Sequence, residues 1–190
     1  EKGRAMRKLH VALPQNSYDV WIGERLIEML PPFLNGKHYS RVLIISDRNV
    51  GNLYQESLLT IFQEIGVPAE SYCIPPGEIS KSLAEAEKIY TRAIEIGLDR
   101  QSVIVALGGG VVGDLAGFIA ATYMRGISFL QVPTSLLAQV DSSVGGKVAV
   151  NHSRGKNLIG AFYQPEGVFI DLSMLDTLPE REIYTGLGEI

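Results

Sequence analysis

Short, continuously apolar runs alternate along this chain with longer stretches in which apolar positions recur every three or four residues. Val42-Leu43-Ile44-Ile45 and Ser102–Leu107 have the pattern of strands buried on both faces, as parallel strands are. Ser128–Val132 and Gly167–Ile170 read the same way, and Ala69–Ile74 reads as a weaker strand. Between them, Gly51–Ile65, Ser82–Ile96 and Val111–Tyr123 carry helical spacing. Ser82, with Glu85 three residues on, is a capping-box signature, and Gly97 closes that helix as Gly66 closes the one before. Near the start, the alternating runs Lys8–Leu13 and Tyr18–Ile22 flank Pro14, Gln15 and Asn16 and predict a β-hairpin. Glu24–Leu34 has helical spacing and stops at Asn35-Gly36. After Pro133 the pattern loosens into a polar, glycine-bearing stretch up to Gly160, which reads as loop. Strands alternating with helices predict βαβ units and therefore an α/β fold, a mostly parallel sheet flanked by helices, with the hairpin at its N-terminus.

Composition narrows the partners. The 190 residues, 46% hydrophobic, suit one compact domain with room for part of a second. A net charge of −4 argues against nucleic acid or an anionic membrane as partner, so any anion site must be local. The single Cys73 excludes an internal disulfide and a cysteine metal cluster, and fits a reducing, cytoplasmic setting. No apolar run reaches the roughly 18 residues needed to cross a bilayer. Met6 reads as the natural start, with Glu1–Ala5 an appended scar.

In open α/β sheets, ligands bind beyond the carboxyl ends of the strands, so the segments following the buried runs carry the candidate chemistry. Gly108-Gly109-Gly110-Val111-Val112-Gly113-Asp114 contains G-x-G-x-x-G between a strand and a helix. Such glycines let a pyrophosphate approach the backbone, and the helix N-terminus offers free N–H groups; the alternative is a tight packing turn. The acidic residue that usually follows about 20 residues later is missing from Phe129–Thr134. Asp47, in Ser46-Asp47-Arg48-Asn49 at the end of an earlier strand, could hold a ribose hydroxyl, although capping by Asp47 or Asn49 is the simpler local role. From their own segment alone, Glu78 and Lys81 read as solvated charges. Pro133–Lys147 packs hydroxyls, Asp141, paired glycines and Lys147 among apolar anchors, and Gly155–Gly160 repeats the theme with Lys156 and Asn157. Lysine beside glycine suits a phosphate or carboxylate pocket; two solvated loops are the plain alternative. His10, His38 and His152 lack ligand spacing, the eight tyrosines read as packing residues, and Ser135 lacks the setting of a hydrolase nucleophile.

Taken together, the glycine turn, Met124-Arg125-Gly126, Pro133–Lys147 and Lys156–Phe162 resemble the 3-dehydroquinate synthase family, from about Met6 to Ile190. The resemblance implies a Rossmann-like NAD-binding domain over residues 6–178. It implies adenosine-side contacts from Asp47, Asn49, Glu78 and Lys81, and pyrophosphate and ribose contacts from Gly109, Gly110, Val111 and Asp114. Nicotinamide-side contacts would come from Thr134, Ser135, Leu137, Asp141 and Ser142, with further cofactor contacts from Lys147, Lys156, Thr177, Leu178 and Glu182. Lys147 and Asn157 match substrate-binding positions, and Arg125 matches a residue that reaches the neighbouring subunit's phosphate pocket in a homodimer. Glu189 matches the first ligand of a divalent metal, zinc or cobalt, although Gly188 stands where alanine is usual. Residues 179–190 would begin a helical metal- and substrate-binding domain whose two histidine ligands lie beyond Ile190, leaving this chain without turnover of its own. The implied reaction converts 3-deoxy-D-arabino-heptulosonate 7-phosphate to 3-dehydroquinate and phosphate, in the shikimate pathway. NAD takes and returns a hydride within each turnover. Another sugar phosphate cyclase, a metal-dependent glycerol or polyol dehydrogenase, and a nucleotide-binding module without turnover are the competing readings.

Overall fold

In a computed structural model of the chain, residues 6–34 and 36–190 are described; Glu1–Ala5, read above as an appended segment, and Asn35 of the expected stop signal fall outside them. Among the described residues, nine strands and five α-helices follow in the order β1 (Arg7–Val11), β2 (Tyr18–Gly23), α1 (Leu30–Leu34), β3 (Val42–Asp47), α2 (Arg48–Glu64), β4 (Ala69–Ile74), α3 (Leu83–Glu95), β5 (Val103–Gly108), α4 (Gly110–Thr122), β6 (Ser128–Pro133), β7 (Lys147–His152), β8 (Gly155–Phe162), β9 (Gly167–Asp171) and α5 (Glu180–Leu187). Seven strands form one sheet in the order β1-β2-β9-β6-β5-β3-β4, parallel throughout except for the N-terminal hairpin β1–β2.

The period of two in an extended chain sorts the buried runs onto two faces. Leu43, Ile45, Ile104 and Ala106 join one core with α3 and α4, while Val42, Ile44, Val103, Val105 and Leu107 join the other with α2. That double burial explains why these strands read as continuous apolar runs. The chain steps outward from β3 to β4 and returns on the other side of β3 to lay down β5. The carboxyl ends of β3 and β5, which carry Asp47 and Gly108, therefore flank a switch point in strand order.

Two expectations are corrected. Glu24–Leu34 is a 3-10 turn at Leu26–Met29 running into the single turn of α1. Arg25 adopts a left-handed conformation (φ 52°) that delays the start, and Pro31-Pro32 removes backbone donors. The stretch after Pro133 is not loose. A π-helical turn spans Ala138–Ser142, and β7 and β8 form a separate antiparallel hairpin. Val148 and Val150 of β7 are buried against α3 and α4, whereas β8 is exposed along most of its length and shows no apolar alternation.

Candidate functional site

A cleft of about 690 Å³ lies at the switch point. Its back wall is the turn after β5. The N-cap of α4 is Gly109, which has no side chain to cap it, so the first N–H groups of the helix stay free beside the cleft. A Cβ on Gly109 would stand 3.3 Å from Ser135 Oγ, and one on Gly110 3.1 Å from Ser142 Oγ. The backbone is thus bare where a ligand would touch it, and the facing wall is hydroxyl-bearing.

Asp47 takes the capping role the sequence suggests and also stands at the cleft. It caps α2, accepting from Asn49 N–H at 2.8 Å and Val50 N–H at 3.1 Å, and it lines the cleft. Both bonds land on Oδ1, so Oδ2 is not spent on the cap. The reading of Lys81 as a solvated charge is overturned. It is 5% exposed, and its Nζ donates to Asp114 Oδ2 at 2.8 Å and lies 3.6 Å from Glu78 Oε1. Burial pushes the Asp114 carboxyl above the usual carboxylate range, and the Lys81 ammonium only partly offsets it. Glu78 goes the other way: burial raises it, but the Asn151 amide and the Lys81 and Lys156 ammonium groups outweigh that and hold it below its ordinary value.

The π-helical turn carries Asp141 and Ser142 to the point where the first cleft meets a second one of about 530 Å³. Gln139, 5% exposed, fixes that turn by donating to the carbonyls of Pro133 and Asp171 at 3.2 and 3.1 Å. The second cleft is walled by the β7–β8 hairpin, with Lys147 and Asn157 on it, and it shares Asp114, Asp141 and Ser142 with the first. Across the mouth of the first, Thr177, Leu178 and Glu182 lead into α5. Helix α5 packs close through Gly186, where a Cβ would meet Leu136 Cβ at 2.6 Å.

The fold thus gathers Asp47, Asn49, Glu78, Lys81, Gly109, Gly110, Val111, Asp114, Thr134, Ser135, Leu137, Asp141, Ser142, Thr177, Leu178 and Glu182 around the first cleft. Lys147 and Asn157 stand at the second. Lys156 lines neither; its side chain is 74% exposed, with Nζ 4.0 Å from Glu78 Oε1. Arg125 follows the far end of α4, about 20 Å along that helix from the cleft. Glu189 is exposed beyond α5, and among the described residues no three His, Cys, Asp or Glu side chains group as metal ligands. The sequence reading missed Tyr54, which it placed among packing residues. Tyr54 lines the cleft and shares a 2.5 Å hydrogen bond with Thr177. Its spacing of four from Val50, which also lines the cleft, was the available signal.

These features define a class, a Rossmann-like α/β domain with a ligand cleft at the switch point of its sheet. A profile of the 3-dehydroquinate synthase N-terminal region matches residues 71–185. A 3-dehydroquinate synthase of Desulforamulus reducens is 51% identical over 186 residues, covering 97% of this chain and 52% of that protein. Among solved structures, a 2-deoxy-scyllo-inosose synthase complexed with carbaglucose-6-phosphate, NAD+ and Co2+ superposes with a TM-score of 0.91 at 31% identity, over 96% of this chain and 51% of that one. A 2-epi-5-epi-valiolone synthase from Streptomyces hygroscopicus, with NAD+ and Zn2+ bound, gives 0.83 at 29% identity over 94% and 49%. The chain belongs to the 3-dehydroquinate synthase family. It spans about half the length of the curated relatives it matches.

Proposed function

We propose that this chain is the NAD-binding half of a cytoplasmic 3-dehydroquinate synthase, with residues 6–178 as the NAD domain and residues 179–190 opening a second, helical one. The observation that carries the reading is the cleft at the switch point, where bare glycine backbone, an uncapped helix N-terminus and Asp47 meet. Its size suits a dinucleotide. The N–H groups at Gly110 and Val111 would hold the pyrophosphate, and Asp47 Oδ2 a ribose hydroxyl. Lys81 keeps Asp114 in place and offsets its charge beside that anion. Bound NAD supplies a reversible hydride acceptor. Asp141 and Ser142, where the clefts meet, would orient the reacting end of the cofactor toward the second cleft. There Lys147 would clamp an anionic group of the sugar acid phosphate and Asn157 would hydrogen-bond it. The described residues do not by themselves fit a divalent metal: Glu189 is one carboxylate, and a catalytic zinc takes three protein ligands. Arg125, exposed past the far end of α4 and outside both clefts, suits the role of a donor to a second subunit.

Calorimetry tests the reading. The parent binds NAD, and Gly109→Val, folded by circular dichroism, loses at least about tenfold in affinity because two methyl groups fill the cradle. Equal affinity in a folded variant would sink it. A second expectation follows from the one-sided metal and anion ligands. The 190-residue chain, given the heptulosonate phosphate, NAD and zinc or cobalt, releases no phosphate catalytically. Multiple turnovers would overturn the assignment of halves. Accumulation of NADH with a polyol would favour a dehydrogenase, while a cyclase returns its hydride.

A further inference from the structure

The β7–β8 hairpin breaks register at one residue. Val150 pairs with Ile159 and His152 with Gly155, and Asn151 sits between them. Its backbone N–H instead donates to Lys81 O at 2.9 Å, within a single parallel bridge to Ser82. Its side-chain amide is used at both ends. Nδ2 donates to Glu78 Oε1 at 2.7 Å, and Oδ1 accepts from Asn157 N–H at 2.9 Å. A carboxylate only accepts and an N–H only donates, so these partners fix which end of the amide is which. Asn157 is held in the left-handed region (φ 57°) at that bond. The anchor is firm, because the preceding Val148 and Val150 are buried in the core.

We propose that Asn151 is a positioning residue that ties the Glu78–Lys81 loop of the first cleft to the Asn157 turn of the second. The proposal rests on reading the two clefts as cofactor and substrate halves of one site. Its chemical basis is that the bridge needs a donor and an acceptor on one short side chain. Aspartate supplies only the acceptor, serine is shorter, and glutamine is longer by a methylene. Glu78 is further steadied by Lys81, whose burial against Asp114 leaves it little freedom. A ligand that orders Glu78 must therefore also order Asn157, and the coupling is reciprocal.

The two arms can be cut separately in Asn151→Asp and Asn151→Ala, read by nuclear magnetic resonance and calorimetry with NAD as the probe. Asn151→Asp keeps the acceptor for Asn157 but sets a carboxylate against Glu78. The Glu78 titration then moves up, while exchange of the Asn157 amide stays within about twofold of the parent. Asn151→Ala cuts both arms, moving Glu78 up and speeding Asn157 exchange by about tenfold or more. In the parent, NAD slows exchange at Asn157; in Asn151→Ala that response is gone, which a merely structural role would not produce. Unmoved Glu78 titration, or the same NAD response in parent and Asn151→Ala, overturns the proposal. A parent that fails to bind NAD overturns the proposed function, while the ligand-free titration and exchange still judge Asn151.

Discussion

Asp47 caps α2 and lines the cleft, and its role in the fold can be separated from the one proposed toward a ligand. Asparagine caps a helix about as well as aspartate, so Asp47→Asn should keep the bonds to Asn49 and Val50 and hold stability within about 0.5 kcal/mol. What it loses is the negative charge, which would repel a 2′-phosphate and strengthen the bond that Oδ2 accepts from a ribose hydroxyl. We expect the parent to prefer NAD over NADP by about tenfold or more, and Asp47→Asn to bring the two affinities close together. Calorimetry with both cofactors decides it, and a parent that binds them equally would remove Asp47 from the ribose site. Asp47 was readable because a strand end, a cap and a cleft-lining position all fall on one short segment. Lys81 was not, because what buries it comes from Asp114, 33 residues on, which no local pattern registers.

Among the elements, α4 sets how close the second cleft's hairpin can come. Its Gly117 faces β7, and a Cβ there would stand 2.3 Å from Val148 Cγ1 and 3.0 Å from Phe129 Cε1. Alanine is the better helix former by about 1 kcal/mol, but overpacking a filled core costs about 1–3 kcal/mol. Gly117→Ala is expected to lower stability in urea and to speed amide exchange in β7 and β8 before the central strands. A variant more stable than the parent would mean that helix propensity wins and the contact yields. The central strands β3, β5, β6 and β9 were legible because burial on two faces leaves apolar runs that nothing else explains, and the half-buried edge strand β4 read more weakly. The hairpin β7–β8 was not. Each strand has a single partner, most of β8 is exposed, and Lys147, Asn157 and Gly160 line the second cleft rather than follow an apolar period. The density of glycines, hydroxyls and lysines marked the segment in the sequence, but no apolar period was there to give its strands. The helix expected at Glu24–Leu34 failed for a different reason. The left-handed Arg25 and the two prolines act through backbone geometry, which apolar spacing does not report.

At the scale of the whole molecule, the clefts and the main polar fastening lie at opposite ends of the sheet. Glu166 stands at the amino ends of the strands, just before β9. It accepts from Lys37 Nζ at 2.7 Å, Tyr39 OH at 2.8 Å and Ser128 Oγ at 2.5 Å, drawing together the approaches to β3, β6 and β9. Burial raises the Glu166 carboxyl, but Lys37, Ser128 and Tyr39 outweigh it and hold it below its ordinary value. A carboxyl lowered in the folded state stabilises fully above its unfolded pKa and loses that contribution as pH falls through the folded one. Glu166→Gln removes the charge and the titration while keeping the shape. We expect it to cost about 1–2 kcal/mol in urea unfolding at neutral pH, with the gap to the parent closing as the solution is acidified past the folded pKa of Glu166. NAD affinity at neutral pH should be the same in both proteins, since the sheet's length separates Glu166 from the switch point. A gap that ignores pH would deny the ion pair its role. An affinity that falls with stability would show that the two ends of the sheet are coupled, and that the cleft depends on the fastening at the far end.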